Sequence, residues 1–125
     1  IMTTTGLAGV IAQWFMTFSS AATLPFWSFV SSVVISLFVP SGGGHWAVQG
    51  PFAVPAAAKL GASQGATAMA VAIGEEVANM IQPFWCLPVL AIAGIGLQRV
   101  MAFTAIVFFI AFAVFGASLL LLVPR

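Results

Sequence analysis

The chain has 125 residues, of which 62% are hydrophobic and 4% charged, with a net charge of +1 and a mean hydropathy of +1.20. A soluble domain carries about 25% charged residues because its surface faces water, so this composition excludes an ordinary soluble fold and points to lipid as the surrounding solvent. The five formal charges, Lys59, Glu75, Glu76, Arg99 and Arg125, form no basic patch for nucleic acid, and the single Cys86 offers neither an internal disulfide nor a metal site.

Residues 1–20 mix apolar side chains with Thr3, Thr4, Thr5, Gln13, Ser19 and Ser20, and suit an interfacial or partial helix over residues 7–18. Residues 24–39 are apolar with Ser28, Ser31, Ser32 and Ser36 interspersed. That run is slightly short for the about 20 residues of a full span, and its serines favour close helix packing. The run Pro40-Ser41-Gly42-Gly43-Gly44-His45 follows, and three glycines weaken a helix by up to about 1 kcal/mol each. Residues 46–60 are apolar but interrupted by Gln49, Gly50, Pro51 and Pro55. Residues 24–60 are therefore predicted as a re-entrant hairpin with its tip at 40–51; two full spans are the alternative. Residues 64–96 are predicted as a transmembrane helix broken near its middle, with Pro83 opening the second half. Residues 100–123 form the cleanest transmembrane helix. The chain opens on Ile1 with no basic region before a short apolar run, and is read as one membrane-embedded C-terminal fragment, 1–125, of a longer protein.

The polar residues gather at the two breaks: Ser41, Gly42, Gly43, Gly44, His45 and Gln49 at the first, Glu75, Glu76, Asn79 and Gln82 at the second. Backbone that leaves helical geometry inside a bilayer strands N–H and C=O groups at several kcal/mol each, so it persists only against protein or a polar cavity. Two such breaks in adjacent segments form the pattern of a substrate site in a secondary transporter. A helix that starts there presents unpaired N–H groups and a positive dipole end, which favour a carboxylate. Glu75, Asn79 and Gln82 fall at i, i+4 and i+7 on one face, while Glu76 points about 100° away. The expected substrate-binding set is Ser41, Gly42, Gly43, Gly44, His45, Gln49, Asn79 and Gln82. Glu75 or His45 is the expected carrier of a coupling proton. Each of these polar groups also has a plainer reading as an interhelical hydrogen bond or, for the two glutamates, as partner of a cation elsewhere in the protein. The sequence has no His-Glu-x-x-His, no Gly-x-Ser-x-Gly and no phosphate-loop Lys-Ser/Thr, so no enzyme and no cofactor are expected.

The runs VPSGGGHWAVQGPF (39–52) and GEEVANMIQPFWCLP (74–88), with the segment between them, resemble the bacterial short-chain fatty acid transporter family, over residues 24–123. Glu76 fits the second motif less well than its neighbours. The resemblance implies an all-α membrane protein, half of an inverted-repeat secondary transporter. It also implies multi-pass residence in the bacterial inner membrane and transport of small monocarboxylates such as butyrate or acetoacetate, coupled to H+ or Na+. The implied partners are the substrate, the coupling ion, the lipid bilayer, an N-terminal half of the same protein and a possible homo-oligomer. A small-anion channel and a non-transporting membrane subunit are the competing functions.

Overall fold

A computed structural model describes residues 6–123; Thr3, Thr4, Thr5 and Arg125 lie outside that range. Among the described residues six helices follow one another: α1 Leu7–Phe18, α2 Leu24–Ser36, α3 Gly42–Leu60, α4 Gln64–Asn79, α5 Leu87–Ala93 and α6 Leu97–Leu121. Among the described residues there is no strand.

Local chemistry sets most of the boundaries. Pro25 stands in the first turn of α2, where its missing N–H removes no bond. The Ser63 hydroxyl caps α4 by accepting from the Ala66 amide at 3.2 Å. Gly61 ends α3 at φ +68°, with Ala62 N–H reaching back to the Ala57 carbonyl and Gly61 N–H to Ala58, a Schellman closure that suits a residue without Cβ. Gly94 ends α5 in the same left-handed conformation.

Two features differ from the sequence reading. The three glycines are helical: they form the first turn of α3, and the non-helical interval is Leu37 to Ser41. Ser41 accounts for this. Its extended backbone lets its carbonyl take the His45 amide at 2.6 Å, while its hydroxyl receives the Gly44 amide at 3.4 Å, so the helix starts at the glycines. The helix then runs on through Pro51 and Pro55 for 19 residues, about 28 Å at 1.5 Å per residue. An interior proline costs a helix about 3 kcal/mol. Burial of Phe52, Ala53, Ala56 and Ala57 on the side that meets Leu24 and Val71 opposes that cost. Second, α5 begins at Leu87 and the position expected for Pro83 is taken by Pro88. Pro83 instead closes a turn, its carbonyl accepting from the amides of Cys86 and Leu87.

Helices α2, α3 and α4 form the packed centre, α1 lies against α3, and α6 touches α2 and α4. The α2–α4 crossing is the closest, and Gly74 is its reason. A methyl at Gly74 would stand 2.6 Å from Ser32 Cβ and 2.7 Å from the Phe29 carbonyl, so only a residue without a side chain admits this approach. A second apolar layer, Phe29, Val33, Ala70, Val77, Ala78 and Leu119, joins α2 and α4 to α6. At 13 residues, about 20 Å, α2 is shorter than the ~30 Å hydrocarbon core. Among the described residues, α6 is the helix long and apolar enough to cross a membrane.

Candidate functional site

Three of the four serines of α2 recur every four residues, at 28, 32 and 36, so they share one face, and these three are fully buried. Into that face α3 sends His45 and Gln49, one turn apart and equally buried. The Gln49 amide donates to the Ser28 carbonyl at 2.8 Å and to the Ser31 hydroxyl at 3.0 Å. Its Oε1 therefore faces His45 Nε2, at 2.7 Å. The Ser32 hydroxyl donates to the Val71 carbonyl at 2.6 Å and lies 2.9 Å from the same Nε2. Both neighbours of Nε2 act as acceptors, which places the proton of the neutral ring on Nε2 and leaves a lone pair on Nδ1. Nδ1 is buried and has no partner. His45 and Gln49 thus tie α2, α3 and α4 together while one ring nitrogen stays unused.

Glu75 reaches from α4 to the start of α3. A methyl on Gly42 would stand 3.8 Å from one Glu75 carboxylate oxygen and 3.9 Å from the other. The carboxylate therefore lies beside the first turn of α3, the positive end of that helix. Gly42, His45, Trp46, Val71, Ala72 and Glu75 line a pocket of about 210 Å³ at this point. Ser41 caps the helix beside it, and Gly42 and Gly43 are exposed.

The other expected residues lie elsewhere. Gln82 is buried and its amide donates to the carbonyl of Ser36, the last residue of α2, so the two helix breaks touch at this bond. Gln82 Oε1 is left without a partner, as are the hydroxyls of Ser28 and Ser36. Asn79 ends α4, and its carbonyl accepts the Trp85 indole N–H at 2.9 Å. With Glu76, Met80 and Trp85 it lines a second pocket of about 250 Å³. Glu75 and Asn79 thus belong to different pockets although one helical turn separates them. The structure brings together Gly42, His45 and Glu75; Gln49 stands behind His45, and Asn79 and Gln82 line neither wall of that pocket.

Trp46, Val71 and Ala72 complete the first pocket without any signal in the sequence that separates them from packing residues. The four serines did carry a signal, their placement on a short apolar helix, though it indicated packing and gave no partner.

The short chain fatty acid transporter family model matches residues 1–122. A protein of Escherichia coli (strain K12), provisionally named a short-chain fatty acid transporter, is 47% identical over 121 residues, which is 95% of this chain and 28% of that protein. A protein of Haemophilus influenzae with the same provisional name is 48% identical over 110 residues, 86% of this chain and 25% of that protein. The chain spans about a quarter of the length of these relatives. No solved structure matches it.

Proposed function

The chain belongs to the short-chain fatty acid transporter family, and on that premise we propose that it supplies the carboxylate site of a carrier for small monocarboxylates such as butyrate or acetoacetate. The observation that carries the reading is the Glu75 carboxylate resting beside Gly42 at the head of α3. A side-chain carboxylate already stands beside this helix start, so Glu75 would compete with a substrate anion for the slot. A substrate carboxylate enters when Glu75 gives up its charge or its position. Protonation does the first, and a proton bound whenever the substrate is bound amounts to symport.

The groups that face this slot support proton handling. From α3 comes His45, whose Nδ1 lone pair has no partner; from α4 comes Glu75; the remaining walls are uncharged. Ser41 and the glycine amides would hold the anion, with Gln49 fixing His45 from behind. Gln82 would keep the two breaks in register through its bond to Ser36. In this reading residues 24–60 act as a re-entrant hairpin and α4–α5 as a broken helix of an inverted-repeat, multi-pass carrier in the bacterial inner membrane. The re-entrant reading is consistent with α2 being too short to span.

The test is uptake of labelled butyrate into proteoliposomes holding the full-length protein, with and without an imposed pH gradient. Uptake should saturate and be driven uphill by the gradient, and Glu75→Gln should abolish the response to the gradient. Unaltered uptake and pH dependence in Glu75→Gln would remove the proposed role, and flux that never saturates would favour a channel.

A further inference from the structure

We propose that Trp46 and Ala72 set how long an alkyl tail the carboxylate slot accepts, a role that rests on the carboxylate reading above, and that Gly50 positions the Trp46 ring. Helices α3 and α4 are joined by residues 61–63 and pack against each other, so the chain runs back along itself. On α3, Trp46 follows Gly42 by about one turn; on α4, Ala72 precedes Glu75 by about one turn. All four line the same pocket. The slot therefore has two levels. Gly42 and Glu75 form the polar level at the start of α3. Trp46, Val71 and Ala72 form the other, and none of their side chains carries a charge.

A carboxylate held at the polar level lays its alkyl tail on the uncharged one, where each buried methylene adds affinity. The whole pocket, about 210 Å³, is smaller than the ~300 Å³ at which pockets for drug-sized ligands begin, so its space is that of a small molecule. Its three uncharged walls play different parts. Val71 is 1% exposed and packs in the core with Leu24 and Phe52, so the fold fixes its place. Ala72 and Trp46 lie outside that core, one with a single methyl and the other with the largest side chain of the pocket. The Trp46 ring lies back over Gly50, one turn further along α3. A methyl at Gly50 would stand 3.0 Å from Trp46 Cε2 and 3.3 Å from Cδ2 and Cζ2, inside the about 3.5–4.0 Å at which carbon atoms pack. Glycine inside a helix is otherwise unfavourable, and here it lets the indole rest against the helix. The ring's seat, and with it one wall of the slot, therefore depends on the missing side chain at residue 50.

The test is calorimetric binding of acetate, butyrate and hexanoate to the purified full-length protein in detergent at one pH. The readout is the ratio of affinities within each variant, because a variant that only loosens the fold weakens all three together. Ala72→Leu fills the uncharged level and should lower butyrate relative to acetate by about tenfold or more. Trp46→Ala opens that level and should raise hexanoate relative to butyrate by about tenfold. The two variants thus move the preference in opposite directions. Gly50→Ala displaces the ring and should alter the ratios when Trp46 is present, yet leave them unchanged in the Trp46→Ala background. Unchanged ratios in either Ala72→Leu or Trp46→Ala, with wild type binding carboxylates, overturn the proposal. Wild type binding none of the three is a different result: it removes the carboxylate site itself, and this assignment with it. Should a variant fail to fold, Ala72→Val or Trp46→Phe takes its place with the same expected sign.

Discussion

The α2–α4 crossing and α6 are both apolar to a hydropathy scale, yet they are built on opposite principles. At and beside the crossing the buried residues include Ser28, Ser32, Ser36, His45, Gln49 and Gln82, tied by hydrogen bonds through their side chains or, at Ser28 and Ser36, through their carbonyls. Along α6 only Gly116 and Leu119 are buried, while Phe103, Phe109, Ile110 and Leu121 are more than half exposed. Lipid-like surroundings supply no hydrophobic force between helices, so association there relies on close approach and hydrogen bonding, which is what the crossing has and α6 lacks. The long apolar helix α6 is thus only lightly integrated, and the interrupted helices hold the chemistry.

The sharpest way to break this contrast is Gly74→Val. The added atoms meet the Phe29 backbone carbonyl and Ser32 Cβ, neither of which can yield unless the helices part. A loss at the upper end of the ~1–3 kcal/mol expected for overpacking, or outright failure to fold, should be seen by thermal unfolding of the full-length protein in detergent. An unchanged Tm would mean that α2 and α4 do not approach this closely.

Next in size is Gln49→Leu. It keeps the volume but removes the donors to the Ser28 carbonyl and Ser31 hydroxyl and the acceptor for His45 Nε2. Leaving buried partners unpaired should cost about 1–3 kcal/mol in the same assay. A neutral result would make the serine–histidine–glutamine network dispensable to the fold.

The smallest effect is expected on α6. A methyl at Gly116 meets the rim of the Phe26 ring at 3.4 Å and that of the Phe29 ring at 3.8 Å, both ordinary contact distances, so Gly116→Ala should stay within about 0.5 kcal/mol. A loss as large as that at Gly74 would show that α6 is locked to α2 as tightly as α4 is.

Much of the helical plan was readable from local chemistry. Pro25, Ser63, Gly61 and Gly94 act within a turn of where they stand, and the long, largely apolar run that follows Arg99 in α6 needs no partner to be recognised. Less of the site was legible. The i, i+4, i+7 stripe of Glu75, Asn79 and Gln82 suggested one shared pocket. The tightening of the backbone after Asn79 carried Gln82 into the core against Ser36 and left Asn79 beside Glu76.

The sequence by itself determined that the chain is helical, suited to lipid and interrupted at two polar points, because propensity, capping and hydropathy are properties of neighbouring residues. Tertiary structure alone decided that Glu75 lies beside the start of α3 and that Glu76 faces a separate pocket. Those outcomes depend on how closely α2 and α4 approach at Gly74 and on which buried hydrogen bonds that distance allows. Residues far apart in the chain fix both, and no local pattern records them.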